Sequence, residues 1–173
     1  MARALSSALP IASVLVVIFI VLNILAGIAL LGLLLVTPNR EWIISALDLA
    51  GSPDAEKVIW GLRAVASLGV VAITFNHFIL SRLHAILKTV QVGDPFIAAN
   101  AYRLQAIAWF LLILQLLSLV IAAIGETIST TAHPVDLDAG FSPAGWLAVL
   151  LTFVLARVFA EGAIMRREIE GTI

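Results

Sequence analysis

The stretch WLAVLLTFVLARVFAEGAIM, residues 146–165, decides the fold, because it stays apolar over the thickness of a lipid bilayer. A transmembrane helix needs about 20 such residues. Two charged residues interrupt the stretch, Arg157 and Glu161, which lie one helical turn apart on the same face. A charge near the bilayer centre costs about 2.5–3.5 kcal/mol on insertion scales. We therefore expect Arg157 to face protein, water or a partner charge.

The composition of the whole chain is typical of a multi-pass membrane protein. Of 173 residues, 62% are hydrophobic and only 12% are charged, and the mean hydropathy is +1.12. A soluble domain has about 25% charged and 45–50% apolar residues. The length predicts a single domain over residues 1–173. The net charge of -1 argues against direct nucleic-acid binding, and the lack of cysteine excludes disulfides and thiolate chemistry.

Four apolar segments predict four transmembrane helices, at about residues 9–36, 58–80, 103–125 and 145–165. The first segment is longer than the apolar region of a signal peptide, which is about 7–15 residues, so we interpret it as an uncleaved span. Short connections between the four segments favour an up-down-up-down bundle. The predicted fold class is therefore all-α, a polytopic four-helix transmembrane domain.

Residues 81–91 predict an amphipathic cytoplasmic helix after the second span. Its apolar face holds Leu83, Ile86, Leu87 and Val90, and its polar face holds Arg82, His84, Lys88 and Gln91. This pattern is typical of a helix that lies in the membrane interface or leaves the bilayer. Gly93-Asp94-Pro95 then ends the helix, and Asp94 as N-cap with Pro95 behind it predicts the start of the next one.

The distribution of Lys and Arg predicts that both termini are cytoplasmic, because cytoplasmic loops are enriched in these residues. One side collects Arg3, Arg82, Lys88, Arg103, Arg166 and Arg167. The other side has Arg40 and Lys57 together with the carboxylates Glu41, Asp48, Asp54, Glu56, Glu126, Asp136 and Asp138. The tryptophans Trp42, Trp60 and Trp146 fall on this second side, as expected for an aromatic belt at the outer interface.

The ionisable residues suggest little chemistry. Arg157 and Glu161 could form a proton or ion relay, but the pattern favours a self-neutralising pair that holds the fourth helix to the second or third. His77 and His84 share a face, yet zinc needs three or four ligands. No hydrolase or phosphate-binding motif is present, and the Gly93-Asp94-Pro95 segment is best interpreted as helix punctuation. We therefore expect no catalysis, no cofactor and no metal.

Two stretches resemble a known family. The first is Val92-Gly93-Asp94-Pro95-Phe96, followed by Asn100 and Tyr102-Arg103-Leu104. The second is Ala156-Arg157-Val158-Phe159 with Glu161-Gly162, and then a tail with Glu168, Glu170 and Thr172. Together they resemble a family of bacterial four-span inner-membrane proteins catalogued as domain of unknown function twenty-nine seventy-five. The resemblance extends from the second span to the tail. It implies no established activity, but the family's members are often encoded beside a small helix-turn-helix regulator.

Two functional hypotheses follow. The first is a non-enzymatic protein of the bacterial inner membrane that acts through a cytoplasmic protein partner, as the resemblance suggests for a sensor or anti-regulator of a helix-turn-helix transcription factor. The alternative is a small transporter or channel component that uses Arg157 and Glu161 inside the membrane. Besides the lipid bilayer, no partner or oligomeric state is specified. The candidate functional or structural residues are Gly93, Asp94, Pro95, Phe96, Asn100, Arg103, Arg157 and Glu161.

Overall fold

The computed structural model describes residues 2–36, 39–46, 50, 53–129 and 139–170, with the side chains of 2–8, 36, 40 and 170 left out. Within these residues the chain is all-α and has no strand. The five helices are α1 (Ala2–Val36), α2 (Arg40–Ala46), α3 (Ala55–Gln91), α4 (Ala98–Ile128) and α5 (Pro143–Glu170). All but α2 are long and apolar enough to span a membrane. The predicted all-α class and its four apolar helices are confirmed.

The helix α3 is longer than the predicted second span. It continues without a break from Ala55 to Gln91, because no glycine or proline lies between Gly69 and Gly93. At 1.5 Å per residue its length is about 55 Å, well beyond the roughly 30 Å of a bilayer core. Residues 81–91 are thus the last turns of α3 and continue the second span, and the amphipathic cytoplasmic helix predicted for them is not confirmed.

The four long helices form an open row in chain order. Contacts join α1 to α3, α3 to α4 and α4 to α5, and none joins α1 to α5 within the described part of the chain. The up-down-up-down bundle predicted from the sequence is therefore not confirmed. Lipid gives a physical reason, because apolar helix faces have no hydrophobic force to bring them together when the solvent is itself apolar.

Side-chain contacts fix which parts of neighbouring helices lie beside each other. Between α1 and α3, the Gln91 side chain donates to Leu9 O over 3.2 Å and the Asn23 amide donates to Ile73 O over 3.3 Å. Between α3 and α4, Phe78 contacts Phe110 at 5.7 Å between ring centroids, and Asn100 contacts Thr89. Between α4 and α5, Trp109 contacts Phe153 at 5.3 Å, and Asp94, just before α4, pairs with Arg166 near the end of α5. The end of α3 therefore lies beside the start of α4 and the end of α5.

The main apolar cluster lies toward this same end. Its buried members are Ile79, Ile86, Leu104, Ile107 and Ala156, with Leu83, Val90, Phe110, Leu111, Leu114 and Phe159 packed around them. They come from α3, α4 and α5, so these three helices share one core. Elsewhere the helix surfaces are broadly apolar and exposed, as in α1, where Ile28 is 62% exposed. Such a surface suits lipid rather than water.

Candidate functional site

The α3–α4 turn begins with a glycine that the backbone requires. Gly93 has φ +86°, a left-handed conformation that side chains disfavour. Its N–H donates to Val90 O over 3.0 Å, and the Asp94 N–H donates to Thr89 O over 2.9 Å. This is the Schellman arrangement, which satisfies carbonyl groups left open at a helix C-terminus. Gly93 therefore stops α3 and sets the direction in which the chain leaves it.

The start of α4 differs from the expectation. We predicted Asp94 as N-cap and Pro95 as the first helical residue, but α4 begins at Ala98 and its N-cap is Ile97, which has no capping side chain. The Asp94 carboxylate is used elsewhere, in an ion pair with Arg166 near the end of α5. A tertiary contact has thus displaced the local capping interaction that the sequence favoured.

The ring of Phe96 lies against α5 at a point where that helix has no side chain. Its centroid is 5.1 Å from that of Phe159. A Cβ placed on Gly162 would come within 2.8 Å of the Phe96 ring, closer than real contacts allow. Gly162 therefore permits the approach of the ring. The two stretches on which the family resemblance rests meet at this contact.

Asn100 connects the turn with both of its helices. It is 0% exposed, and its amide donates to Thr89 Oγ1 over 2.6 Å and to Pro95 O over 2.9 Å. Its Oδ1 accepts from Arg103 Nη1 over 2.7 Å. A buried amide costs free energy unless it is hydrogen-bonded, and here both amide hydrogens and the oxygen have partners.

We call this arrangement the clamped turn: Gly93, Asp94, Pro95, Phe96, Asn100 and Arg103, held by Thr89, Phe159, Gly162 and Arg166. The clamped turn contains all the candidate residues from the first of the two stretches that resemble the family. Sequence reasoning missed Thr89 and Arg166 as their partners. A threonine one turn before the helix-ending glycine was a weak signal for the first, and no local signal indicated the second.

Arg157 and Glu161 lie apart from the clamped turn, on the outer side of α5. Arg157 Nε is 2.8 Å from a Glu161 carboxylate oxygen, and the side chains are 78% and 51% exposed. The pair is thus formed within one helix, and neither side chain is buried against α3 or α4. Their exposure places the two charges at the rim of the helix row rather than within its core.

A groove between α4 and α5 lies beside Arg157. Its cavity has a volume of about 340 Å³, and the residues around it include Ala101, Tyr102 and Gln105 of α4 with Ala156, Arg157 and Arg167 of α5. No residue of α1 or α3 lines it. The cavity is therefore a surface groove of the last two helices.

The remaining polar residues show no metal centre. Among the described residues, no three His, Asp or Glu side chains are close enough to hold an ion. His77 Nε2 is 3.4 Å from Ser81 Oγ. Arg82, predicted on the polar face of α3, packs its guanidinium over the Phe110 ring, 4.8 Å from the centroid. Glu126 is exposed in the last turn of α4, while Asp136, Asp138 and His133, which follow α4 in the chain, lie outside the described residues.

The comparisons with known proteins add no function to this geometry. No family model, no curated protein and no solved structure matches the chain. The resemblance to the bacterial four-span family therefore stays a prediction.

Proposed function

We propose that this chain is a multi-pass protein of the bacterial inner membrane, with an up-down topology and both termini in the cytoplasm, that acts through a cytoplasmic protein partner. Four long apolar helices support the membrane location. The observation that carries the functional proposal is that the clamped turn occupies the end of the helix row where basic residues collect. A rigid and charged surface is suited to recognising another protein.

The charges of the two ends differ in sign. At the end of the clamped turn, the described basic residues Arg82, Lys88, Arg103, Arg166 and Arg167 outnumber Asp94, Glu161 and Glu168. At the opposite end, Glu41, Asp54, Glu56 and Glu126 outnumber Lys57 and Arg63. By the positive-inside rule, the clamped turn is the cytoplasmic end. A partner with an acidic surface would be attracted to it.

The rigidity of this end favours binding. A loop that is already ordered loses less conformational entropy when a partner docks. Here the backbone is fixed by a Schellman turn, a buried amide and contacts with α5. By resemblance, the partner is a small helix-turn-helix regulator, and the membrane protein would then act as its sensor or anti-regulator.

The geometry favours binding over transport. The Arg157–Glu161 pair is exposed, and the groove beside it is lined from Ala98 to Gln105 on α4 and from Phe153 to Arg167 on α5. The longer of these two stretches is about 21 Å of helix, short of the roughly 30 Å that a path across the bilayer would need. We therefore do not retain the transporter as a second candidate.

The topology is tested with reporter fusions. A reporter active only outside the cytoplasm should be inactive when fused after Ile173 and active when fused after Ser129, at the end of α4. Equal activity of the two fusions, or the reverse order, would contradict the proposed orientation.

The partner proposal is tested with a matched pair of lysines on α3. Lys88 and Lys57 are both exposed but lie at opposite ends of the helix. Tagged full-length protein would be isolated from native membranes and its co-purifying proteins quantified by mass spectrometry. Lys88→Glu should deplete the partner about tenfold, because like charges across an interface repel, and Lys57→Glu should leave it unchanged. Equal recovery with both variants would refute a partner at the clamped turn.

A further inference from the structure

The groove between α4 and α5 extends beyond the cavity described above. A second cavity of about 190 Å³ shares Ala98, Ala163 and Arg167 with the first. Because they have lining residues in common, the two cavities adjoin each other, and we treat them as one groove. Along α5 it extends from Phe153 to Arg167, about 21 Å at 1.5 Å per residue. It ends beside the clamped turn, at Asp94 and Phe96.

The floor of the groove is apolar and smooth. The alanines Ala101, Ala156 and Ala163 are buried beneath it, with Phe153 and Ile164 along its sides. Small side chains leave a shallow channel, whose lining also includes the polar residues Tyr102, Gln105 and Arg157. Its alanine floor has the shape and polarity of a binding site for a hydrocarbon chain.

The end of the groove near the clamped turn is cationic. Arg167 lines both cavities, and no ion pair joins it to another described residue. The adjoining N-terminus of α4 has no capping side chain at Ile97. Free N–H groups and the helix dipole make such a terminus favourable for an anion. Arg166 lies at the same end but is bonded to Asp94.

We propose that this groove binds one anionic phospholipid, with the phosphate at Arg167 and the first turn of α4 and an acyl chain along the alanine floor. The order of the two halves supports this: the cationic part lies at the helix ends, where headgroups would be, and the apolar part lies toward the middle of the span. Basic pockets between transmembrane helices bind anionic headgroups in this way. The inference rests on the membrane location proposed above.

A second copy of the chain is the competing occupant, because small residues also allow close helix packing. The charges argue against it. Arg167 stands at the edge of the groove, and no ion pair joins it to another described residue, so two copies meeting there would bring like charges together. A lipid phosphate instead complements this charge.

The headgroup contact is tested on the purified full-length protein in a neutral detergent. Binding of phosphatidylglycerol and phosphatidylcholine with identical acyl chains would be measured by native mass spectrometry. The wild type should prefer phosphatidylglycerol. Arg167→Gln should weaken that binding about tenfold, since one hydrogen bond to a charged group is lost. Lys57→Gln removes a cation at the opposite end of the molecule and should have no effect.

The floor is tested with a second matched pair. Ala160 lines the groove, whereas Ala148 lies on the exposed surface of the same helix. Ala160→Leu should fill the channel and weaken binding with the arginines intact, and Ala148→Leu should bind as the wild type does. Because both substitutions add the same bulk to one helix, the comparison isolates the groove.

Several results would overturn the proposal. Equal binding of the two lipids, or equal behaviour of Arg167→Gln and Lys57→Gln, would exclude the headgroup site. If glycerol phosphate alone displaced the lipid fully, the site would be a free-anion site. If Ala160→Leu dissociated a dimer in the mass spectrum, a second copy would be the occupant. A failure of the membrane location itself would appear separately, in the reporter fusions.

Discussion

The two arginine–carboxylate pairs of α5 differ in what they connect. Arg157 and Glu161 join neighbouring turns of one helix and are 78% and 51% exposed. Arg166 pairs with Asp94, a residue of the α3–α4 turn, and these side chains are 42% and 41% exposed. The first pair neutralises charge locally, and the second fixes the tertiary position of the turn. Arg157, the charge that stands out most in the sequence, therefore does not connect α5 to the rest of the fold.

The contacts of the clamped turn differ in how deeply they are buried, and this difference sets the effect on stability that we expect from each. Asn100 is fully enclosed, so each of its hydrogen bonds replaces one that water can no longer supply. The contact of Phe96 with Gly162 depends on shape alone. The Asp94–Arg166 pair is half-exposed, and solvent screens it. Four predictions follow this order, from the interior of the clamped turn to the outer face of α5.

The largest effect is expected for Asn100→Ala. The change leaves Pro95 O, Thr89 and Arg103 without their partner in a buried site, and should lower the free energy of unfolding by about 3 kcal/mol. Unfolding in detergent would be followed by circular dichroism. The control is Asn76→Ala on the exposed side of α3. If both variants unfold at the wild-type temperature, the buried network does not stabilise the turn.

Gly162→Leu should have the next largest effect. The new side chain meets the Phe96 ring, and overpacking typically costs about 1–3 kcal/mol. Gly32→Leu is the matched control, because a Cβ there has no neighbour within 4 Å. Adding Phe96→Ala to Gly162→Leu should recover part of the loss. No recovery in the melting curves would mean that the ring is not what Gly162 accommodates.

A smaller effect is expected from the Asp94–Arg166 pair. A double-mutant cycle with Asp94→Asn and Arg166→Gln should give a coupling free energy of about 0.2–1 kcal/mol, because exposed pairs are screened. The cycle would be measured from urea unfolding in detergent. Additive single changes would show that the two charges do not interact in solution.

The smallest effect is expected for Glu161→Gln. Its pair with Arg157 lies within one helix and is exposed on the isolated chain, and where water reaches such a pair it is worth about 0.3–0.5 kcal/mol. The melting temperature in detergent should therefore shift less than for the Asp94–Arg166 variants. A loss of several kcal/mol would instead indicate that Arg157 is covered, by detergent tails or by a partner that the isolated chain lacks.

The sequence predicted the helices well because their signal is local. An apolar run of bilayer length specifies a helix by composition alone, and the glycine that ends α3 at Gly93 was also recognised. The open row of helices could not be predicted in this way. Whether α1 contacts α5 depends on how strongly each helix face binds another helix rather than lipid. This is a property of all four helices together, and no single stretch of sequence determines it.

The residues of the candidate site were predicted from the sequence, but their contacts with one another were not. The resemblance pointed to Asp94, Phe96 and Asn100 but not to their contacts. Asp94 was assigned to a local helix cap, whereas its carboxylate pairs with Arg166, far along the chain. Arg157 was expected to face protein, water or a partner charge. It has Glu161 as its partner charge, but the pair lies on the exposed side of α5.

The measurement that most directly tests the account is a cross-link between the clamped turn and α5 in native membranes. The chain has no cysteine, so a pair introduced as Phe96→Cys and Gly162→Cys would be unique. Removing the ring also leaves room for the new side chain at position 162. With a mild oxidant or a short thiol cross-linker, this pair should react quickly. The control pair, Phe96→Cys with Gly32→Cys, should not. Equal and slow reaction of both pairs would contradict a turn that is fixed to the last helix.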